Sequence, residues 1–289
     1  MARAPVKPRK KRLVIVGGAG RMGRRLAWFF RRRGFDVSIV DPTGSPKGFR
    51  AVLIEDAAGA DVVIIAASLE RCAGALREVV RQKPRGLVFD IASVKAPLVP
   101  ALAEAKAAGV RIASLHPMFG PDVRSFRGRD LIVCDAGHAE AMRGVRRLFA
   151  GAGLRMQTLS LNEHDAWVAR SMGLAHLVAL VAASTLAAEG VSLANAARIE
   201  GLASTSFRRL HSLLKPLLAQ DAALTRMIQS GNPAAGAIAS RLADELQSWR
   251  ETLVGLDPTA FERKLNLTRH ALSSAPSGSN ARRIPPRRR

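Results

Sequence analysis

Tyrosine is absent from the 289 residues, aromatic residues make up 4%, and there are two cysteines. Cys72 and Cys134 fit neither a metal-ligand spacing nor a disulfide framework, which points to a reducing compartment, the cytosol. No uninterrupted apolar run reaches the roughly 20 residues that a membrane-spanning helix needs, which argues against a membrane protein. The longest candidate, residues 167–188, is broken by Arg170 and His176 and reads as a buried helix. No zinc spacing, nucleophile elbow or internal repeat occurs. For the missing tyrosine the sequence offers no physical reason.

Acidic residues are also scarce: 23 against 45 lysines and arginines, a net charge of +22. Such a balance raises the question of a nucleic-acid partner. Its distribution argues against one. Residues 1–12 hold six of the basic residues and residues 276–289 hold five, with no acid in either. Both segments are rich in Pro, Gly or Ser and poor in apolar residues, so residues 1–11 and 276–289 are expected to be disordered, solubilising tails. The apolar run after Lys11-Arg12 is short and turns glycine-rich at once, unlike an export signal. The remaining excess charge suits an anionic small-molecule substrate.

Between the tails, 48% apolar residues suffice for a real core. Leu13–Val16, Val37–Val40, Asp61–Ala66, Gly86–Ile91 and Val110–Leu115 read as strands, and the third is apolar on both faces, as in a central parallel strand. Helical spacing over 21–33, with Met22, Leu26, Phe29 and Phe30 on one face, ends at Gly34. Further helices are expected near 96–108 and 139–150, and further strands at Asp130–Cys134 and Met156–Leu159. Alternating strands and helices predict an α/β, Rossmann-type doubly wound parallel sheet over residues 12–160. From Asn162 onward the pattern is helical, predicting an all-helical domain over 161–275. Ser160 and Glu163 have capping-box spacing. The Ala-, Leu- and Val-rich helix after them has fewer charges than a surface helix needs, so a homodimer is expected.

Gly18-Ala19-Gly20-Arg21-Met22-Gly23 fits G-x-G-x-x-G, between a strand and a helix. Gly18 allows the turn, Gly20 lets the backbone approach a pyrophosphate, and Gly23 lets helix and strand pack closely. Asp41 ends the next strand, where an acid binds the adenosine ribose and disfavours a 2′-phosphate. This points to NAD, with nearby Lys47 and Arg50 leaving NADP open. Ser68, Ser93 and His116 each follow a strand. With the glycine loop and Asp41, all occupy the C-terminal strand ends, where open parallel sheets bind ligands. There His116 suits a general base, since an imidazole of pKa near 6.5 accepts a proton at neutral pH. Ser93 also suits a helix N-cap, or a bond to substrate or to His116. His164 and His176 lie 12 residues apart on the predicted long helix and read as core histidines, with His176 kept as a substrate contact.

Over roughly residues 12–255 the chain resembles the prephenate dehydrogenase family, which includes arogenate and cyclohexadienyl dehydrogenases. The matching segments are Gly17–Gly23, Asp90–Lys95 (DIASVK), Leu115–Asp122 (LHPMFGPD), Glu163-His164-Asp165 and Leu218–Asp221. The resemblance implies an NAD-binding domain, an all-helical dimerisation domain and a site between them. It implies oxidative decarboxylation of prephenate, a dicarboxylate, to 4-hydroxyphenylpyruvate. The family's catalytic histidine falls on His116, its serine on Ser93, and a further histidine on His176. The family's carboxylate-binding arginine falls on Pro216. Lys215 and, two turns earlier, Arg208 and Arg209 are the nearest cations, and lysine keeps the charge without the bidentate fork. That departure leaves arogenate or 4-amino-4-deoxyprephenate open as the substrate. A non-catalytic dinucleotide- or nucleic-acid-binding protein is the reading from a different class.

Overall fold

The computed structural model describes residues 9–191 and 203–274. The disorder expected of the tails falls on residues outside these, apart from 9–11. By contacts the chain divides after Ile238 into two compact units.

The first unit is built on an eight-stranded sheet. Its strands are β1 (Arg12–Val16), β2 (Asp36–Val40), β3 (Arg50–Ala51), β4 (Val62–Ile65), β5 (Leu87–Asp90), β6 (Arg111–Pro117), β7 (Asp130–Asp135) and β8 (Arg155–Ser160), in the order β3-β2-β1-β4-β5-β6-β7-β8. The strand order reverses between β1 and β4, which is where a doubly wound sheet opens its ligand crevice. All pairings are parallel except β6 with β7, so the sheet is mostly and not wholly parallel. That antiparallel pair also corrects the expected end of β6. His116 and Pro117 lie inside the strand, paired with Ile132 and Leu131.

Each sheet face is covered, which is why the central strands are apolar throughout. On one face α1 (Arg21–Arg32) and α4 (Ala139–Leu148) pack Leu26, Phe30, Ala141 and Val145 against Leu13, Ile15, Phe89 and Leu115. On the other, α2 (Leu69–Arg81) and α3 (Val99–Ala107) pack Cys72, Leu76, Ala101 and Leu102 against Val14, Val63, Val88 and Ile112. A two-residue strand at Arg50–Ala51 and a 3-10 helix at Ile54–Gly59 carry no long hydrophobic pattern and escape a reading by periodicity. Cys72 and Cys134 are buried free thiols.

After Ser160 every described element is helical. α5 (Leu161–Val168), a π-helical turn (Ala169–Gly173) and α6 (Leu174–Ala188) form one continuous rod. The capping box opens it: Ser160 Oγ accepts from the Glu163 N–H, and Glu163 Oε2 accepts from the Ser160 N–H at 2.8 Å. α7 (Thr205–Leu218) packs Leu214 and Leu217 against Ala179, and α8 (Ala222–Ser230) follows. The rod was expected to be buried. Within one chain it is not: only 11% of its apolar window is covered, and Val178 and Val181 are exposed. By length and composition alone it is the one described helix that would cross a membrane.

Most of α9 (Ala235–Val254) and α10 (Pro258–Ser273) form the second unit. Trp249 meets Phe261 edge to face, with Lys264 over the indole at 4.8 Å.

The glycine loop closes the first βα turn. Gly17 sits at φ +80°, and a Cβ there would lie 2.5 Å from the Ala67 nitrogen. A Cβ on Gly23 would lie 2.4 Å from the Gly17 carbonyl oxygen. Both obstacles are backbone. Gly23→Ala is therefore expected to push α1 off the sheet and destabilise the protein by about 1–3 kcal/mol. Denaturant unfolding measures this, and an unchanged midpoint would contradict the packing described.

Candidate active site

Strand β6 delivers His116 to the sheet's C-terminal edge, and the start of the long helical rod delivers His164 to meet it. His116 Nδ1 lies 2.9 Å from His164 Nε2, and His164 Nδ1 lies 2.8 Å from Asp165 Oδ1. The three side chains are buried, with His164 fully enclosed. Asp165 also accepts the backbone N–H of Lys95 on Oδ1 (2.8 Å) and that of Ala96 on Oδ2 (2.7 Å). Two backbone N–H donors, one to each carboxylate oxygen, make Asp165 the acceptor of the group. Asn232 Nδ2 donates to the Asp165 carbonyl at 2.8 Å and locks the residue from the α8–α9 loop.

These bonds settle the tautomers. A carboxylate only accepts, so His164 carries its proton on Nδ1 and presents a lone pair at Nε2. His116 then donates its own Nδ1–H to that lone pair. Its Nε2 keeps a lone pair, and the described hydrogen bond of the ring engages Nδ1 alone. The result is an oriented imidazole base whose conjugate acid would be stabilised through His164 by a carboxylate.

Electrostatics keeps that base free of its proton. Burial pushes the His116 pKa well below the ordinary imidazole value of 6.5, and the neighbouring His164 and Lys95 charges push the same way. Burial lowers His164 too, against the opposing pull of Asp165. Lys95 is itself fully buried. Its Nζ donates to Asp90 Oδ1 at 2.7 Å and to the Leu115 carbonyl at 2.6 Å, pinning the residue before His116. Losing either partner would strand a buried charge, a change that costs about 3–5 kcal/mol.

The nucleotide side of the edge is built from the first βα turn. Gly20 caps α1 without a side-chain bond, leaving the first-turn N–H groups open, while the last turn carries Arg31 and Arg32. A Cβ on Gly20 would meet only the Gly17 carbonyl oxygen at 3.3 Å, so this cradle has room that a larger residue would fill. Asp41 Oδ2 accepts the Ala19 N–H at 3.0 Å, and Oδ1 accepts from the Thr43 N–H (3.0 Å) and hydroxyl (2.7 Å). Burial alone would raise the Asp41 pKa, but the Thr43 and Ala19 bonds win and hold it low, so it is a firm carboxylate. These groups fit a dinucleotide: open N–H donors for a pyrophosphate and an ionised acceptor for ribose hydroxyls. Arg21 pairs with Asp122 at 2.5 Å and thereby joins the glycine loop to the turn after His116. Arg50 donates to Ser38 Oγ at 3.4 Å, and Lys47 is exposed.

The other sequence-derived residues fall as follows. Ser68 begins α2 at the end of β4 without a capping bond. Ser93 is half-buried and does not act as a helix cap, since Lys95 holds that position in the following 3-10 turn. The partner of His116 is His164, not Ser93. Met22 is half-buried in the first turn of α1. His176 is half-buried on α6, and its Nδ1 is buried without a partner. Arg208 and Lys215 are exposed on α7, which also contains Pro216, and no described bond ties Lys215 to the His116 group. Sequence reasoning passed over His164 as core and did not single out Asp165, Lys95, Asp90 or Asn232. The available signal was the adjacent His-Asp pair four and five residues after the helix cap Ser160. A cavity of about 450 Å³ lined by Lys11, Arg33, Phe35, Arg111 and Arg147 opens at the opposite, N-terminal edge of the strands.

Residues 27–158 match the family model "Prephenate dehydrogenase, nucleotide-binding domain". The chain is 30% identical over 215 residues to the T-protein of Enterobacter agglomerans, matching 74% of this chain and 55% of that protein. The chain thus spans about half the length of that relative. It is 29% identical over 255 residues to the 4-amino-4-deoxyprephenate dehydrogenase of Streptomyces pristinaespiralis, covering 80% of each. In fold it is similar to the prephenate dehydrogenase of A. aeolicus, solved with hydroxyphenyl propionate and NAD+. That likeness has a TM-score of 0.69 and 19% identity, and covers 92% of this chain and 99% of the other.

Two outcomes test the buried group. In Asp165→Asn an amide donor would face a backbone donor, and a loss of about 2 kcal/mol is expected in denaturant unfolding. An unaltered stability would contradict the three-donor arrangement. The second concerns pH. His116, His164 and His176 all have pKa values lowered from 6.5 by burial. Below that pH the unfolded chain binds more protons than the folded one, so stability falls as pH drops through 6.5. Thermal unfolding from pH 7.5 to 5.5 checks the sign, and a flat or rising midpoint on acidification would refute it.

Proposed function

Because the chain belongs to the prephenate dehydrogenase family, we propose that it is an NAD-dependent enzyme that oxidatively decarboxylates prephenate to 4-hydroxyphenylpyruvate. The observation that carries this reading is the Asp165–His164–His116 chain, which leaves a base at the sheet edge that also carries the glycine loop. Gly18, Ala19, Gly20, Arg21 and Met22 would hold the pyrophosphate of NAD, Asp41 its ribose with Ser68 at the neighbouring strand end, and the bound cofactor would supply the hydride acceptor. His116 Nε2 accepts the proton of the C4 hydroxyl as the C4 hydrogen departs as hydride. The C1–carboxylate bond breaks, its electron pair enters the ring, and CO2 leaves an aromatic phenolate, whose oxygen then takes the proton back from His116 to give the 4-hydroxyphenyl product. The imidazolium formed at His116 is held by His164, whose charge partner is Asp165. Ser93 hydrogen-bonds the reacting hydroxyl, a role supported by its half-buried position after β5 and its freedom from capping the following turn. His176, Arg208 and Lys215 supply the contacts to the rest of a dicarboxylate substrate.

A second reading keeps the base and the cofactor and changes the substrate. Pro216 stands where the family's carboxylate-binding arginine is expected, and one relative is named for 4-amino-4-deoxyprephenate. Arogenate or that amino analogue is then the molecule oxidised. In either case the enzyme works in the cytosol. It also works as a homodimer that covers the exposed apolar face of α6 with a second copy. Sedimentation at micromolar concentration tests the dimer, and a monomer throughout would reject it.

The deciding experiment is NADH formation by the purified chain with prephenate, arogenate and 4-amino-4-deoxyprephenate, each with NAD and NADP. Prephenate with NAD is expected to give the highest kcat/KM. His116→Asn is expected to lose about 10²–10⁴-fold in kcat, the usual share of a general base. A rival substrate turned over far faster selects the second reading, and no turnover of any of the three overturns both.

A further inference from the structure

The rod that carries His164 and His176 is interrupted between them by the π-helical turn Ala169–Gly173. The Leu174 N–H reaches the Ala169 carbonyl, five residues back, instead of the four of an α-helix.

That one residue changes where His176 points. In an unbroken α-helix two residues 12 apart stand about 120° apart around the axis. A π turn takes up one residue without the corresponding advance, which leaves His176 about 20° from His164. The two imidazoles therefore share one face, and on that face His164 meets His116 at 2.9 Å. His176 also ends with a polar atom in need of a partner: its Nδ1 is buried and bonded to none of the described residues. Such isolated π turns recur at functional sites. This one is tied down from outside the rod. Gln229 of α8 donates from Nε2 to the Gly173 carbonyl at 3.1 Å.

We propose that the π turn, held by Gln229, is the device that turns His176 onto the face of the rod shared with His164, so that His176 contacts substrate. Gln229 is a positioning residue that acts through His176. The contact to substrate rests on the dehydrogenase reading above, whereas the coupling of Gln229 to His176 does not.

The test therefore has two arms. In the first, prephenate kinetics are compared for wild type, Gln229→Leu, His176→Asn and the double variant. Each single change is expected to raise KM about tenfold, the worth of one good hydrogen bond, with kcat nearly unchanged. The double variant is expected to match His176→Asn, because the two residues act in series. Deletion of Met172, which converts the π turn to an α turn, is expected to raise KM at least as far. In the second arm, without substrate, the His176 ring resonances, assigned from His176→Asn, are expected to shift in Gln229→Leu while those of His211 and His270 stay. Additive KM effects, or unmoved His176 resonances, overturn the proposal. If wild type turns over no cyclohexadienyl substrate, the dehydrogenase reading fails, and the resonance arm still decides the π turn.

Discussion

The Asp165 carboxylate is where the sheet and the helical rod are joined, and the rest of the site depends on that join. One oxygen pair receives two backbone N–H groups from the loop after β5 and the imidazole N–H of the adjacent His164. Those bonds fix the loop, the tautomer of His164 and, through it, the tautomer of His116. A neutral acceptor at this position would satisfy the geometry of one donor and conflict with another. The charge is sheltered, since Asn232 closes over the same residue from behind.

Lys95 performs the complementary task beneath the strand edge. Its ammonium links the ends of β5 and β6 through Asp90 and Leu115, so the strand that presents His116 cannot shift without exposing a buried ion pair. The same positive charge, together with burial, disfavours protonation of His116. One side chain thus serves both stability and the unprotonated state of His116. On the neighbouring strand ends the glycine loop and Asp41 form a separate, open cradle, and the Arg21–Asp122 pair keeps cradle and base in register. Binding and proton transfer occupy one edge of one rigid sheet, a usual way to hold reacting groups in fixed relation.

Much of this was legible in the residues. Short β-rich runs of four to six residues located all but the shortest strand, and the capping box at Ser160 marked where sheet gives way to helix. Glycine spacing located the nucleotide turn because its constraints are local: Gly17 and Gly23 each face backbone at under 3 Å. Three features were not legible. The antiparallel pairing of β7 depends on partners far apart in sequence and leaves no periodicity of its own. His164 looked like core because burial and catalysis demand the same surroundings, and only the distance to His116 separates them. The π turn is invisible to a helical wheel, which assumes constant pitch and so places His176 on the wrong face. The apolar rod of α6 was read as covered; its exposure in a single chain shows that composition reports the need for burial without naming the partner.

The central claim is that His116 is a neutral base with its proton on Nδ1 and a free lone pair on Nε2. Nitrogen-15 NMR of the histidine side chains in the ligand-free protein tests this most directly. The Nδ1–H tautomer is expected for His116 at pH 7, with no protonation until well below pH 6.5. An Nε2–H tautomer, or an ordinary titration centred near 6.5, would contradict it.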